Sequence, residues 1–107
     1  MCGIAGFSLF NYQEGGNASL EAMHKAIVHR GPDASGIYLD EHIGLCHRRL
    51  SILDLSEAGN QPMYSADNNL VIVFNGEIYN FLELRADLEQ QGVIFKSHTD
   101  TEVILEL

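Results

Sequence analysis

Apolar residues fall into short clusters along this chain, separated by glycine, asparagine and charged residues, and the spacing inside each cluster changes from one to the next. Cys2 to Phe10 is apolar but broken by Gly3 and Gly6, and its Ile4, Phe7, Leu9 and Phe10 fit a buried strand better than a helix. After a loop at Gly15-Gly16-Asn17, Leu20, Met23 and Ile27 recur at i, i+3 and i+7, which predicts a helix over 19–29. Gly31-Pro32 closes that helix and makes His29-Arg30-Gly31-Pro32-Asp33 a tight, charged turn. Two strands follow, over 35–39 and 43–51, joined by a turn at Asp40-Glu41-His42. On the second of them Ile43, Leu45, His47 and Arg49 share one face, and Gly44, Cys46, Arg48 and Leu50 the other. A polar loop over 54–63 and a turn over 66–69 lead into Leu70-Val71-Ile72-Val73-Phe74. That continuous apolar run predicts a strand covered on both faces.

Asn80, with Glu83 three residues on, reads as the capping box of a second helix, which has Phe81, Leu84 and Leu88 as its stripe and Gly92 as its stop. Val93 to Lys96 predicts a short strand, and Thr99 with Glu102 opens a last helix that carries Val103, Ile104 and Leu107 at helical spacing. No C-cap follows, so we expect these residues to be a fragment of something longer. Strands dominate and helices do not alternate with them strictly, which favours an α+β layered fold over a doubly wound parallel sheet.

Composition narrows the function classes. A chain of 107 residues that is 46% hydrophobic forms one domain at most, with material for a core. Six basic against fifteen acidic residues give a net charge of −9, which argues against nucleic acid or an anionic membrane as partner. No apolar run approaches the roughly 18–20 residues that span a bilayer, and no basic n-region marks a signal peptide. Cys2 and Cys46 would both stay reduced in the cytoplasm, where this composition places the protein. The five histidines show no metal-ligand spacing, and we expect no metal site; Cys46, among apolar neighbours, reads as packing.

Candidate chemistry concentrates at the chain start and at strand ends. Removal of Met1 leaves Cys2 with a thiol and a free α-amine, groups that ordinarily titrate near about 8.5 and 7.7–8.0. The amine can then take the thiol's proton, so one residue supplies both nucleophile and base. Gly3 and Gly6 keep side chains away from that thiol, as a close-approaching substrate requires. Arg49, at a strand end, offers a planar guanidinium suited to a carboxylate, although a single arginine is more often only exposed. Asn75-Gly76 after an apolar run supplies a side-chain amide and an unshielded backbone N–H, the donors from which oxyanion holes are built, but as an isolated dipeptide is more often just a turn. Glu77 and Asp100 could hold an ammonium group, and Asp100 alternatively favours the helix start.

Taken in order, Cys2-Gly3-Ile4-Ala5-Gly6, His29-Arg30-Gly31-Pro32-Asp33, Arg49-Leu50-Ser51-Ile52, Asn75-Gly76-Glu77-Ile78-Tyr79-Asn80 and Ser97-His98-Thr99-Asp100-Thr101-Glu102 closely resemble the N-terminal glutaminase domain of glutamine-hydrolysing asparagine synthetases. These belong to the class II, N-terminal-nucleophile amidotransferases. The resemblance covers essentially all of residues 1–107 and implies the N-terminal part of a four-layer αββα sandwich. It implies that Cys2 attacks the side-chain amide of glutamine and forms a thioester, and that Asn75 and Gly76 stabilise the oxyanion. It further implies that Arg49 binds the substrate α-carboxylate, that Asp100 binds its α-ammonium, and that Glu77 and the backbone of Arg49, Leu50, Ser51, Ile52 and Leu53 complete the pocket. The 29–33 turn would support the site without taking part in the chemistry. Ammonia would pass to a synthetase domain, absent from these residues, that uses ATP and Mg2+ to amidate aspartate. Two alternatives stay open: another class II amidotransferase, amidating for example a sugar or polysaccharide precursor, or an inactive folding and interaction unit. An unpaired sheet edge would favour homo-oligomers.

Overall fold

The computed structural model describes residues 2–8, 16–51 and 55–107, and the readings made above for Met1, for 9–15 and for Ile52, Leu53 and Asp54 lie outside them. Its elements are β1 (Gly3–Ser8), α1 (Gly16–Ala26), β2 (Ala34–Leu39), β3 (Ile43–Arg49), β4 (Met63–Tyr64), β5 (Val71–Ile72), α2 (Phe81–Gln90) and α3 (Asp100–Glu106). Short 3₁₀ turns lie at Val28–Arg30 and Glu57–Gly59. The result is a small α+β arrangement with two antiparallel sheets. Among the described residues no helix is long and apolar enough to cross a membrane.

The larger sheet has the order β1-β3-β2, with Gly3 opposite Arg48 and Ala34 opposite Arg49. β3 is therefore paired along both edges, and its alternation decides what lies on each face. The face of Cys46 is covered by α1, whose Leu20 is fully buried, a burial that stabilises by about 1.5–3 kcal/mol. The opposite face carries His47 and Arg49, both buried. The turn between β2 and β3 is closed by Asp40, whose Oδ1 accepts from the backbone N–H of His42 at 2.8 Å and of Ile43 at 2.7 Å. These donors, with the Tyr38 hydroxyl, hold the Asp40 carboxyl below its ordinary pKa.

Several local expectations are corrected. Of the run Leu70–Phe74, only Val71–Ile72 forms a strand, half-buried and without cover on both faces, and Leu70 is 57% exposed. The reason is pairing: Ser65 N–H closes a tight loop onto Leu70 O at 3.0 Å, and Phe74 N–H goes to the Gln61 side chain at 2.6 Å instead of to a strand. Residues 93–96 form no strand, because the Lys96 N–H is taken by the Glu102 carboxylate at 2.7 Å and Val93 N–H by Leu88 O at 3.1 Å. Asn80 precedes α2 without a side-chain cap, so that capping box does not form. Thr99 does cap α3, accepting from Glu102 N–H at 3.3 Å, but Glu102 reaches back past Thr99 to Ser97. The first helix begins at Gly16 and gives way to the 3₁₀ turn, so Gly16 and Asn17 are helical. Gly3 and Gly6 serve close packing: a Cβ would lie 2.8 Å from the Arg30 side chain at the first and 2.5 Å from Gly44 O at the second.

Candidate functional site

The buried face of β3 opens at its C-terminal end into a cavity of about 420 Å³. Cys2 reaches it from the strand that pairs with β3: its Sγ accepts from Leu50 N–H at 3.3 Å and lies 3.6 Å from Leu50 O, so the thiol is held at the cavity wall, half-buried. Both cysteines are free thiols, and Cys46 sits on the other face, where burial pushes its pKa up.

Arg49 projects into the same cavity and is 6% exposed. Its Nη1 donates to Ser56 O at 2.6 Å and to Asn60 Oδ1 at 2.8 Å, which fixes the guanidinium and leaves Nη2 and Nε without an acceptor among the described residues. A Cβ on Gly59 would lie 2.3 Å from Nη2, so only glycine lets the loop fold this closely over the arginine. Asp100, also 6% exposed and at the start of α3, lines the same cavity. One carboxylate oxygen accepts from Ile78 N–H at 2.9 Å, tying the helix to the segment that follows β5. That segment brings Asn75, Gly76 and Glu77 to the cavity, Asn75 half-buried and the other two exposed.

The loop before α3 is set by Glu102. Its buried carboxylate accepts from Lys96 N–H at 2.7 Å, from Ser97 N–H at 2.6 Å and from the Ser97 hydroxyl at 2.6 Å. Arg85 adds a bond to Ser97 O at 2.7 Å while its guanidinium lies over the Phe95 ring at 4.3 Å. Asp100 is thus presented by a loop with satisfied hydrogen bonds.

Of the residues singled out from sequence, Cys2, Arg49, Leu50, Asn75, Gly76, Glu77 and Asp100 share one cavity. Ser51 lies apart: its N–H donates to Asp33 Oδ2 at 2.8 Å, and it faces a neighbouring hollow with Asp33 and Asn60. The 29–33 turn therefore acts on the site through Asp33, by holding the chain just beyond Arg49. Ile52 and Leu53 lie outside the described residues. Sequence reasoning missed Gln61, Phe74, Tyr79 and Thr101, which also line the cavity. Only Pro62 directly after Gln61, inside a polar loop, hinted that this point is sterically defined.

Between described residues the one ion pair is Arg85–Glu89, at 2.8 Å, so Arg49 and Asp100 are a buried cation and a buried anion that form no ion pair with any other described residue. Burying either charge is costly unless something pairs with it. A cavity lined by one buried cation and one buried anion complements a zwitterion. Among the described residues no three His, Cys, Asp or Glu side chains cluster so as to hold a metal ion. Among the described residues no group meets either ring nitrogen of the fully buried His47 with good hydrogen-bond geometry. Desolvation depresses its pKa, helped by the Arg49 charge and opposed by the Phe74 backbone.

Fold and cavity together define a class: a small α+β domain with a free thiol, a buried arginine and a buried aspartate lining one cavity. The chain belongs to the glutamine amidotransferase domain family, whose profile matches residues 1–107. It is similar to asparagine synthetase [glutamine-hydrolyzing] 1 of Bacillus subtilis, 46% identical over 98% of this chain and 17% of that protein. It is similar also to a putative asparagine synthetase [glutamine-hydrolyzing] 2 of Methanocaldococcus jannaschii, 45% identical over 100% of this chain and 24% of that protein. A second B. subtilis asparagine synthetase is 43% identical over 100% of this chain and 14% of its own length. The chain thus spans a quarter or less of these relatives.

Proposed function

We propose that this domain hydrolyses glutamine to glutamate and ammonia through a thioester on Cys2. The observation that carries the reading is the cavity's charge pattern: buried Arg49 and Asp100, neither in an ion pair among the described residues, line a space that also holds the only cavity thiol among those residues. Arg49 would take the α-carboxylate with Nη2 and Nε, and Asp100 the α-ammonium with the carboxylate oxygen not bonded to Ile78. An α-amino acid held at both groups directs its side chain elsewhere in the cavity, where Cys2 stands. Glu77 and the Leu50–Leu53 backbone would complete the pocket.

With Met1 removed, the Cys2 α-amine takes the thiol proton and Sγ attacks the amide carbon of the side chain. The tetrahedral oxyanion is met by the Asn75 side-chain amide and the Gly76 N–H, and each such donor lowers the barrier by about 2.7–4 kcal/mol. The amine returns the proton to the leaving nitrogen, the C–N bond breaks, and ammonia departs from a glutamyl thioester. Water, deprotonated by the same amine, then displaces Sγ to give glutamate and the free thiol. The similarity to asparagine synthetases supports a larger enzyme in which the domain forms part of a four-layer αββα sandwich. In that enzyme ammonia would pass to a synthetase domain that uses ATP and Mg2+ to amidate aspartate, and no residue of this cavity is assigned to either.

Intact mass spectrometry after incubation with 6-diazo-5-oxo-L-norleucine tests this reading. The protein should lose the mass of Met1 and gain one adduct on Cys2, and Cys2→Ala should gain none and release no ammonia from glutamine. A Met1-free protein that takes no adduct and leaves glutamine intact would overturn it.

A further inference from the structure

Two consecutive side chains in the loop before β4 connect parts of the cavity that the sequence keeps far apart. Asn60 Oδ1 holds Arg49 at 2.8 Å, as described. Gln61, only 9% exposed, spans the other way. Its Oε1 accepts from Phe74 N–H at 2.6 Å, and its Nε2 donates to Thr101 Oγ1 at 3.2 Å. Phe74 directly precedes Asn75 and Gly76, and Thr101 directly follows Asp100. The backbone of Gln61 is itself fixed against β2, since a Cβ on Gly36 would come within 2.4 Å of Gln61 O.

We infer that Gln61 is a positioning residue, which uses both ends of its amide to set the oxyanion arm at 75–76 against the substrate-holding end of α3. The inference rests on the glutaminase reading. Phe74 N–H has no strand partner, because β5 stops at Ile72, so the side chain of Gln61 takes the place of a ladder in fixing where the next two residues point. A displacement of about 1 Å at donors of this kind costs on the order of 100-fold in rate. Because the arm acts on the tetrahedral species and not on bound glutamine, its loss appears in kcat. The Thr101 end acts on Asp100, and its loss appears in KM.

The test uses the protein as encoded, with ammonia release from glutamine measured for wild type, Gln61→Met and Thr101→Val, and thermal melting as the check on folding. Gln61→Met keeps the side chain's length without either hydrogen bond, and its kcat should fall roughly 10–100-fold. Thr101→Val should raise KM by about 3–10-fold with kcat changed less than about threefold, the cost of one neutral hydrogen bond. Gln61→Glu keeps an acceptor for Phe74 N–H and should regain most of the kcat that Gln61→Met loses. An active wild type with kcat in Gln61→Met within about threefold of it overturns the inference while the glutaminase reading stands. A wild type that leaves glutamine intact overturns both. Should Gln61→Met fail to melt cooperatively, Thr101→Val and Gln61→Glu decide: unchanged KM in the first, or kcat lowered as far as 100-fold in the second, counts against it.

Discussion

Arg49 is held in the fold by one of its guanidinium nitrogens, and on the glutaminase reading it binds substrate with the others. Nη1 is spent on Ser56 O and Asn60 Oδ1, which fold the 55–60 loop over the guanidinium, and Nη2 and Nε have no acceptor among the described residues. Arg49→Lys keeps the charge but has one point donor where the arginine has a fork. It should raise KM for glutamine by roughly 10- to 150-fold, the equivalent of about 1.5–3 kcal/mol for hydrogen bonds to a charged group. Steady-state ammonia release checks this, and an unchanged KM would place the substrate carboxylate elsewhere. Arg49 was legible in the sequence because a planar cation at the end of a strand stands out against its neighbours. Gln61 was not, because a polar residue in a polar loop carries no pattern, and its burial exists only once the loop, Phe74 and α3 have come together.

At the scale of elements, helices followed from periodicity and strands did so only where a partner of similar length exists. β2 and β3 were readable within a residue or two, since each pairs along its length. The 70–74 run has the composition of a buried strand, yet its partner β4 is two residues long and the run shortens to match. Charged side chains also displaced expected backbone pairing, as Glu102 does at Lys96 and Ser97. The end of α2 was read correctly from Gly92, which adopts φ +97 while its N–H and that of Val93 bond back to Glu89 O and Leu88 O. Nothing lies within 4 Å of a Cβ built there, so the cost of a side chain is conformational alone. Gly92→Ala should destabilise by about 1–2 kcal/mol, measured by urea unfolding, and Gly92→Asn by less. Equal stability of Gly92→Ala and wild type would mean that the left-handed conformation is not kept.

For the molecule as a whole, β3 is the wall between two interiors, α1 and Cys46 on one side, the cavity and its supports on the other. His47 lies in that wall, fully buried, with its pKa pushed below 6.5 by desolvation. The unfolded chain therefore takes up a proton at this position before the folded one does. Stability contributed by neutral His47 is complete above about 6.5 and declines as pH falls from there to the depressed folded value, by at most about 1.4 kcal/mol per pH unit. Chemical unfolding followed between pH 8 and 5 should show a shallower pH dependence in His47→Met than in wild type. Parallel curves would mean that the ring is not held neutral. The wall also has a history in time. Cys2 and the Leu50 N–H that holds its sulfur are 48 residues apart in sequence. A ribosome adding about 5–20 residues each second needs about 2–10 s to make that stretch. Throughout this interval β1 lacks β3, the strand it pairs with, so on the glutaminase reading removal of Met1 would not have to work against the finished sheet.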